Sequence, residues 1–288
     1  MRNILMAFLA FFPVSLMAQG WQLVGFGGVA NYQGDLQDRR FTTQQAQIAF
    51  GVGIQYDINK YFAVRGMATY GRISADDRFN KDAGLRFRNL NFKSHILEGS
   101  IQGIVRFMDL ETKGWTPYLV AGVGVFGFDP YTHDTLGNKF YLQPLGTEGQ
   151  GLAAHPDRDF YNRVQVVIPF GGGIQLRVNE RITLGYEVGL RKTFTDYLDD
   201  VSTTYADPDQ LLAARGPLAV ELAYRSDELK TGNANPVYPT GAVRGGSEFK
   251  DWYYFQGITV NFRLGGGSRS GYNGKSMGRQ LDCPRNIN

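Results

Sequence analysis

Few residues in this sequence are equipped for chemistry, and their spacing decides what each can do. The histidines are His95, His133 and His155. Ser94 precedes His95, a pairing of nucleophile and base that a lipid hydrolase would need. In an extended strand, however, adjacent side chains point to opposite faces, and neither residue has a carboxylate close in sequence to orient it. His133 and His155 share one stretch, match no metal-binding spacing and are expected in solvent. The densest acidic run is TDYLDDVSTTYADPDQ (195–210), with Asp196, Asp199, Asp200, Asp207 and Asp209. Calcium takes such oxygens, but the Asp-x-Asp-x-Asp-Gly order of a calcium loop is missing. The plainer reading is a solvated turn leading into a helix cap. Asp207-Pro208-Asp209-Gln210 supplies an N-cap, a proline at the first helical position and a glutamine at the third, and Gly216 stops the helix. Pro217 opens a second short helix. The single cysteine, Cys283, excludes an internal disulfide and a cysteine-cluster metal site. These residues yield no catalytic, cofactor-binding or metal-ligating set, so the expectation is a non-enzyme without a cofactor or small-molecule substrate.

What remains is a chain built to hold a shape. Residues 1–18 carry one positive charge, Arg2, and an apolar run from Ile4 to Met17 broken by Pro13 and Ser15. That pattern is a secretory signal and is too short for a spanning helix. No later segment offers 18 consecutive apolar residues, so any membrane crossing is made by strands. The 37 glycines, 20 phenylalanines and 16 tyrosines, with a mean hydropathy of −0.27, suit a closed antiparallel barrel in which one face of each strand meets lipid. The formal net charge of +3, lowered by one when Arg2 leaves with the signal, is too weak to imply a nucleic-acid partner.

The period-two pattern sets the register. In ITLGYEVGLRKTF (182–194), Ile182, Leu184, Tyr186, Val188 and Leu190 alternate with Thr183, Gly185, Glu187, Gly189 and Arg191. An arginine facing mid-membrane lipid would cost about 2–4 kcal/mol, so the second set faces inward. In DWYYFQGITVNFRL (251–264), Trp252, Tyr254, Ile258, Val260, Phe262 and Leu264 face out, and Tyr253, Phe255, Gly257, Thr259, Asn261 and Arg263 face in. Strands are likewise expected at 23–32, 48–56, 61–71, 96–107, 118–128 and 164–178. The fold class is therefore all-β: an eight-stranded antiparallel up-and-down transmembrane barrel over 19–264. Short connections (57–60, 108–115, 179–181) alternate with long loops (33–45, 74–92, 129–163, 196–250), a rule that a soluble β-sandwich would not follow. Outer-membrane barrels keep short turns in the periplasm, which puts both ends of the barrel chain there and the helical loop outside. Eight strands leave room only for side chains. Parity points Arg65, Glu98, Arg106, Arg177, Glu187, Arg191 and Arg263 inward, where they are expected to pair as a plug.

Four stretches resemble a known family. GGVANYQGDL (27–36), RKTFTDYLDDVSTTYADP (191–208), ARGPLAVELAYRS (214–226) and RGGSEFKDWYYFQGITVNFRL (244–264) look like the small PorG-like outer-membrane barrels of the type IX (Por) secretion system. The resemblance runs from about residue 20 to 264 and is most specific in DYLDDVSTTY. It implies an eight-stranded barrel surrounded by outer-membrane lipid, partnered with periplasmic ring proteins of the PorK/PorN type, and no catalysis. Phe255-x-Gly257-x-x-Val260-x-Phe262 further resembles the signal by which barrels are recognised for insertion, although that signal usually opens on a polar residue and closes the chain. Here a Gly-, Ser- and Arg-rich tail, residues 265–288, continues past it and is expected to be flexible. Its Arg279, Asp282, Cys283, Pro284 and Arg285 are the candidate partner-binding residues, with the lone thiol of Cys283 expected to be held in a mixed disulfide or covered by a partner. Two other classes predict different dependences: an adhesion barrel would act through loops 129–163 and 196–250, and a lipid-modifying enzyme would need Ser94 or His95.

Overall fold

The computed structural model describes residues 20–37, 42, 44–229, 239–248 and 250–264. The expected signal (1–18) and the tail with Arg279, Asp282, Cys283, Pro284 and Arg285 lie outside them. The strands are β1 (Trp21–Gln33), β2 (Gln47–Asp57), β3 (Phe62–Asp76), β4 (Asn91–Arg106), β5 (Trp115–Phe128), β6 (Tyr131–His133), β7 (Lys139–Tyr141), β8 (Val164–Arg177), β9 (Ile182–Lys192) and β10 (Trp252–Arg263). The described helices are α1 (Ala83–Arg88), α2 (Leu110–Lys113), α3 (Pro208–Arg215) and α4 (Pro217–Ala223).

Eight of the strands close on themselves. Neighbours run antiparallel in the order β1-β2-β3-β4-β5-β8-β9-β10, and β10 pairs back to β1 from Gln33↔Trp252 to Gln22↔Arg263. All eight expected strands are present. β3 and β4 run longer than the periodicity indicated, pairing as far as Asp76↔Asn91, so the loop expected at 74–92 shrinks to 77–90. The cause is a switch of cover: past Gly71 the inward residues Ile73 and Ala75 pack on loop side chains such as Leu36, Leu90 and Leu198. The loop at 129–163 also contains the β6–β7 hairpin, which extends the sheet through Lys93↔Tyr131.

Alternation along each barrel strand separates two environments. Outward residues are large, apolar and bare, such as Val52 at 67% exposure and Leu97 and Ile101 at 65%. So extensive an apolar belt is stable when hydrocarbon covers it. Aromatic pairs stand on this surface, Trp21–Tyr56 near the short turns and Phe50–Tyr70 and Phe170–Trp252 near the long loops. Among the described residues no helix is long and apolar enough to cross a membrane. The glycines that blurred the parity of β1 have a packing reason. Gly28 pairs with Gly257, and a Cβ on either would lie 2.2 or 2.3 Å from a carbonyl oxygen of the facing strand. Tyr254 departs from its expected lipid exposure: it is outward by parity yet buried, because its hydroxyl donates to the Thr42 carbonyl (2.9 Å) and accepts from the Thr42 N–H (3.0 Å).

Candidate functional site

Two polar clusters fill the barrel and a third lines its mouth. The first is the lumen plug. Because Arg65, Glu98, Glu187 and Arg191 project inward from β3, β4 and β9, they meet at the axis. Arg65 makes a two-pronged pair with Glu187 (2.9 Å each) and reaches Gln102 Oε1 at 3.0 and 2.6 Å. Tyr118 donates to Glu187 Oε2 at 2.7 Å. One layer towards the long loops, Arg191 pairs with Glu98 (3.1 Å), Tyr253 donates to Glu98 (2.8 Å), and the Arg191 guanidinium lies 4.5 Å from the Phe255 ring centroid. Planar guanidinium-to-carboxylate pairs with their remaining oxygens satisfied are the arrangement in which buried charge is tolerated. The cavity left beside Met67 and Thr259 is about 10 Å³, room for about one water.

At the short-turn end, Arg106 pairs with Asp57 (2.8 Å) and donates to Gln175 (3.0 Å). Arg177 and Arg263, expected in the lumen, lie at its rim. Parity is right for both, but they occupy the last turn of strand before the mouth. Arg263 pairs with Glu111 at 3.2 Å, and Arg177 donates to the Glu111 carbonyl at 3.1 Å. Lys60, Asp109 and Arg181 complete a charged bowl of about 70 Å³.

The second cluster corrects the acidic run. Asp196, Asp199 and Asp200 are buried, not solvated. Residues distant in sequence assemble around them beneath α3 and α4. Tyr32 donates to Asp199 (2.5 Å) and lies 3.1 Å from Asp251, whose other oxygen accepts from the Leu198 N–H at 2.9 Å. Burial pushes both acids well above the usual carboxylate range, with the charge of Asp35 adding to it at Asp199 and that of Asp199 at Asp251. Asp200 accepts from Thr147 and Tyr161 (2.5 and 2.7 Å); burial raises its pKa to about 6 despite the nearby Arg244. Asp196, bonded to Ser202 at 2.7 Å, is raised to about 7, mainly by burial. Two arginines hold the assembly. Arg244 pairs with Glu148 (3.1 Å) and donates to the carbonyls of Asp200 and Ala223, while Arg88 grips Asp77 and donates to the carbonyls of Asp35 and Arg244. Asp207 caps α3 as expected, accepting from the N–H groups of Asp209 and Gln210, and Gly216 ends it. Among the described residues no group of His, Cys, Asp and Glu is arranged to hold a metal ion.

Sequence reasoning missed Asp77, Arg88, Glu148 and Arg244 because they sit in separate stretches of the long loops, where no spacing rule connects them. The histidines lie elsewhere. Ser94 and His95 face opposite sides of β4: Ser94 Oγ accepts from the Asp129 N–H (3.0 Å), whereas His95 meets Tyr70 on the outside (2.5 Å). His133 and His155 are half-buried rather than solvated, His133 standing edge-on to Tyr131.

Comparison with known proteins yields one family match, a domain of unknown function, DUF6089, over residues 1–213. No curated protein matches the sequence. Similar solved structures include Neisserial surface protein A, at 10% identity and TM-score 0.40, covering 85% of this chain and 97% of that one. The Yersinia pestis attachment invasion locus protein Ail, solved with the heparin analogue sucrose octasulfate, is 8% identical at TM-score 0.39, covering 84% and 97%. A major outer membrane protein of Thermus thermophilus is 10% identical at TM-score 0.39, covering 84% and 98%. None is close enough in sequence or shape to carry a function across.

Proposed function

The chain belongs to the DUF6089 family, and we propose that it is a non-enzymatic outer-membrane anchor for a type IX protein-secretion complex. In this reading the long loops face outward and the short turns face the periplasm. The observation that carries a scaffold is the lumen crossed by buried ion pairs. Two stacked arginine–carboxylate layers, Arg65–Glu187 and Arg191–Glu98, cross the lumen, and the strands that bear them are cross-linked through the axis. A rigid plugged barrel suits mechanical attachment.

The machine assignment is supported by the residues that resemble type IX barrels. All four resembling stretches meet in the buried lock: Tyr32 from the first, Asp199 and Asp200 from the second, Ala223 from the third, Arg244 and Asp251 from the fourth. The shared motif is thus the fastening of the cap, which leaves the periplasmic contact to the bowl at the short turns and to the tail. Leu264, where the described chain ends, bonds back to Trp21 beside that bowl. The partner is a ring protein of the PorK/PorN type, met first by the bowl and then by Arg279 to Arg285.

The test compares the purified outer-membrane complex of the wild type with Cys283→Ser and with truncation after Gly265. Co-purification of a periplasmic ring protein that is lost on truncation is the expected outcome; a reducible adduct lost in Cys283→Ser would show how the contact is fixed. An inserted barrel that is indifferent to its tail and recovers no ring protein would overturn the reading and turn attention to the external loops.

A further inference from the structure

Most of the outward face of β3 and β4 is apolar, and it changes character at one level. The pair Tyr70↔Leu97 is the last to present only apolar or aromatic groups to lipid; the next outward pair is Arg72↔His95, followed by Ser74↔Lys93. The β6–β7 hairpin continues this polar step sideways, since Lys93 pairs with Tyr131 and Tyr131 with Tyr141. Lys139 lies over both hairpin rings, 3.8 Å from the Tyr131 centroid and 4.4 Å from that of Tyr141. His95 stacks between Tyr70 and Tyr131, at 5.9 and 5.5 Å. The result is three exposed cations, Arg72, Lys93 and Lys139, set on an aromatic floor at the upper edge of the apolar belt.

Among the described residues none of the three takes part in an ion pair. The nearest outward acids in register are already engaged, Asp76 by Arg78 and Asp129 by Arg163. Side chains at directly opposed or diagonal positions on one sheet face are about 5–8 Å apart, so one phosphate can bridge two of them. Cations directly above a hydrocarbon-covered surface meet lipid headgroups before any soluble anion.

We propose that Arg72, Lys93 and Lys139 form a binding site for the phosphate groups of an anionic outer-leaflet lipid, with its acyl chains lying on Leu97 and Ile101. The assignment rests on the reading that the barrel sits in an outer membrane with its long loops outward. Tyr70, His95 and Tyr131 stack into a rigid surface that holds the cations' aliphatic stems, and the site fastens one side of the barrel to its leaflet.

The test is native mass spectrometry of the detergent-purified full chain titrated with bisphosphorylated lipid A, with its dephosphorylated form, and with the deacylated bisphosphorylated sugar. Folding is checked by heat-modifiable gel migration. Wild type should retain bisphosphorylated lipid A through detergent exchange, and Arg72→Gln/Lys93→Gln/Lys139→Gln should bind it about a hundredfold more weakly, with single variants in between. Lys192→Gln, on the outward face of β9, three strands from β4 and four from β3 around the barrel, should bind like wild type. Equal binding by the folded triple variant, or of the dephosphorylated lipid, would overturn the site. Equal binding of the deacylated sugar would overturn its assignment to a lipid. The measurement needs no secretion partner, so failure to recover a ring protein would sink the anchoring role and leave this site standing.

Discussion

Arg65 and Glu187 show what a buried charge does in a small barrel. The pair contributes no more than a good apolar contact would, yet either partner left alone is costly, because an unpaired ion in a dry lumen cannot recover its hydration. Glu187→Ala should therefore destabilise the barrel by about 3–5 kcal/mol, while Arg65→Met/Glu187→Leu should recover most of that loss. The urea midpoint of heat-modifiable gel migration reads both. Asp199 behaves oppositely. Burial pushes its carboxyl well above the usual carboxylate range, and the oxygen that accepts from Tyr32 is one an isosteric amide keeps. Asp199→Asn should change stability by less than about 1 kcal/mol, whereas Asp199→Ala removes the acceptor that Tyr32 uses and should loosen the cap, seen as faster hydrogen exchange across residues 196–205.

The cap is the element on which pH acts. Asp196 is raised to about 7 and Asp200 to about 6, each chiefly by burial. An open cap would release these protons near pH 4, so between about pH 4 and pH 7 the closed cap binds more protons than the open one. Closure is then strongest at the acid end of that window and weakens as the pH rises. Hydrogen exchange across 196–205, corrected for intrinsic rate, should be slower at pH 5 than at pH 7, with the barrel strands unchanged. A second element prediction concerns α3. Asp207→Ala removes the acceptor for two N–H groups and should cost about 1 kcal/mol, confined to exchange in residues 208–215. Gly257 belongs here as well: its Cβ space is filled by the Gly27 carbonyl, so Gly257→Ala should lower the yield of folded barrel by forcing β1 and β10 apart.

At the scale of the molecule, the plug and the lock lie in series along one axis. Ions meet the Arg106–Asp57, Arg65–Glu187 and Arg191–Glu98 layers and then the apolar layer of Phe92, Phe126 and Tyr253. Planar-bilayer recording of the full chain should show no steady unitary conductance; a stable open level in wild type would contradict the reading of these layers as a plug. The long loops fold back into the barrel end through Arg88 and Arg244 and form a lid continuous with the barrel core. Loop deletions are thus expected to lower the stability of the strands that carry them, which distinguishes this barrel from one with independent surface loops.

The strands, their faces and the inward direction of Arg65, Glu98, Arg106, Glu187 and Arg191 were legible in the sequence, because lipid on one side and a narrow lumen on the other impose a strict period of two. The α3 start and stop were legible too, since caps are local chemistry at Asp207 and Gly216. The long loops obey no such period. Composition describes the acidic run at 195–210 as solvent-loving, and only the tertiary structure brought Tyr32, Arg88, Glu148, Arg244 and Asp251 around it from other parts of the chain. The same holds for Arg177 and Arg263, whose side was set by parity but whose depth depended on where each strand met the mouth. Sequence alone determined which way each strand residue faces; three-dimensional closure decided which distant charges meet, because pairing across the lumen and under the cap depends on the barrel's circumference and has no signature along the chain.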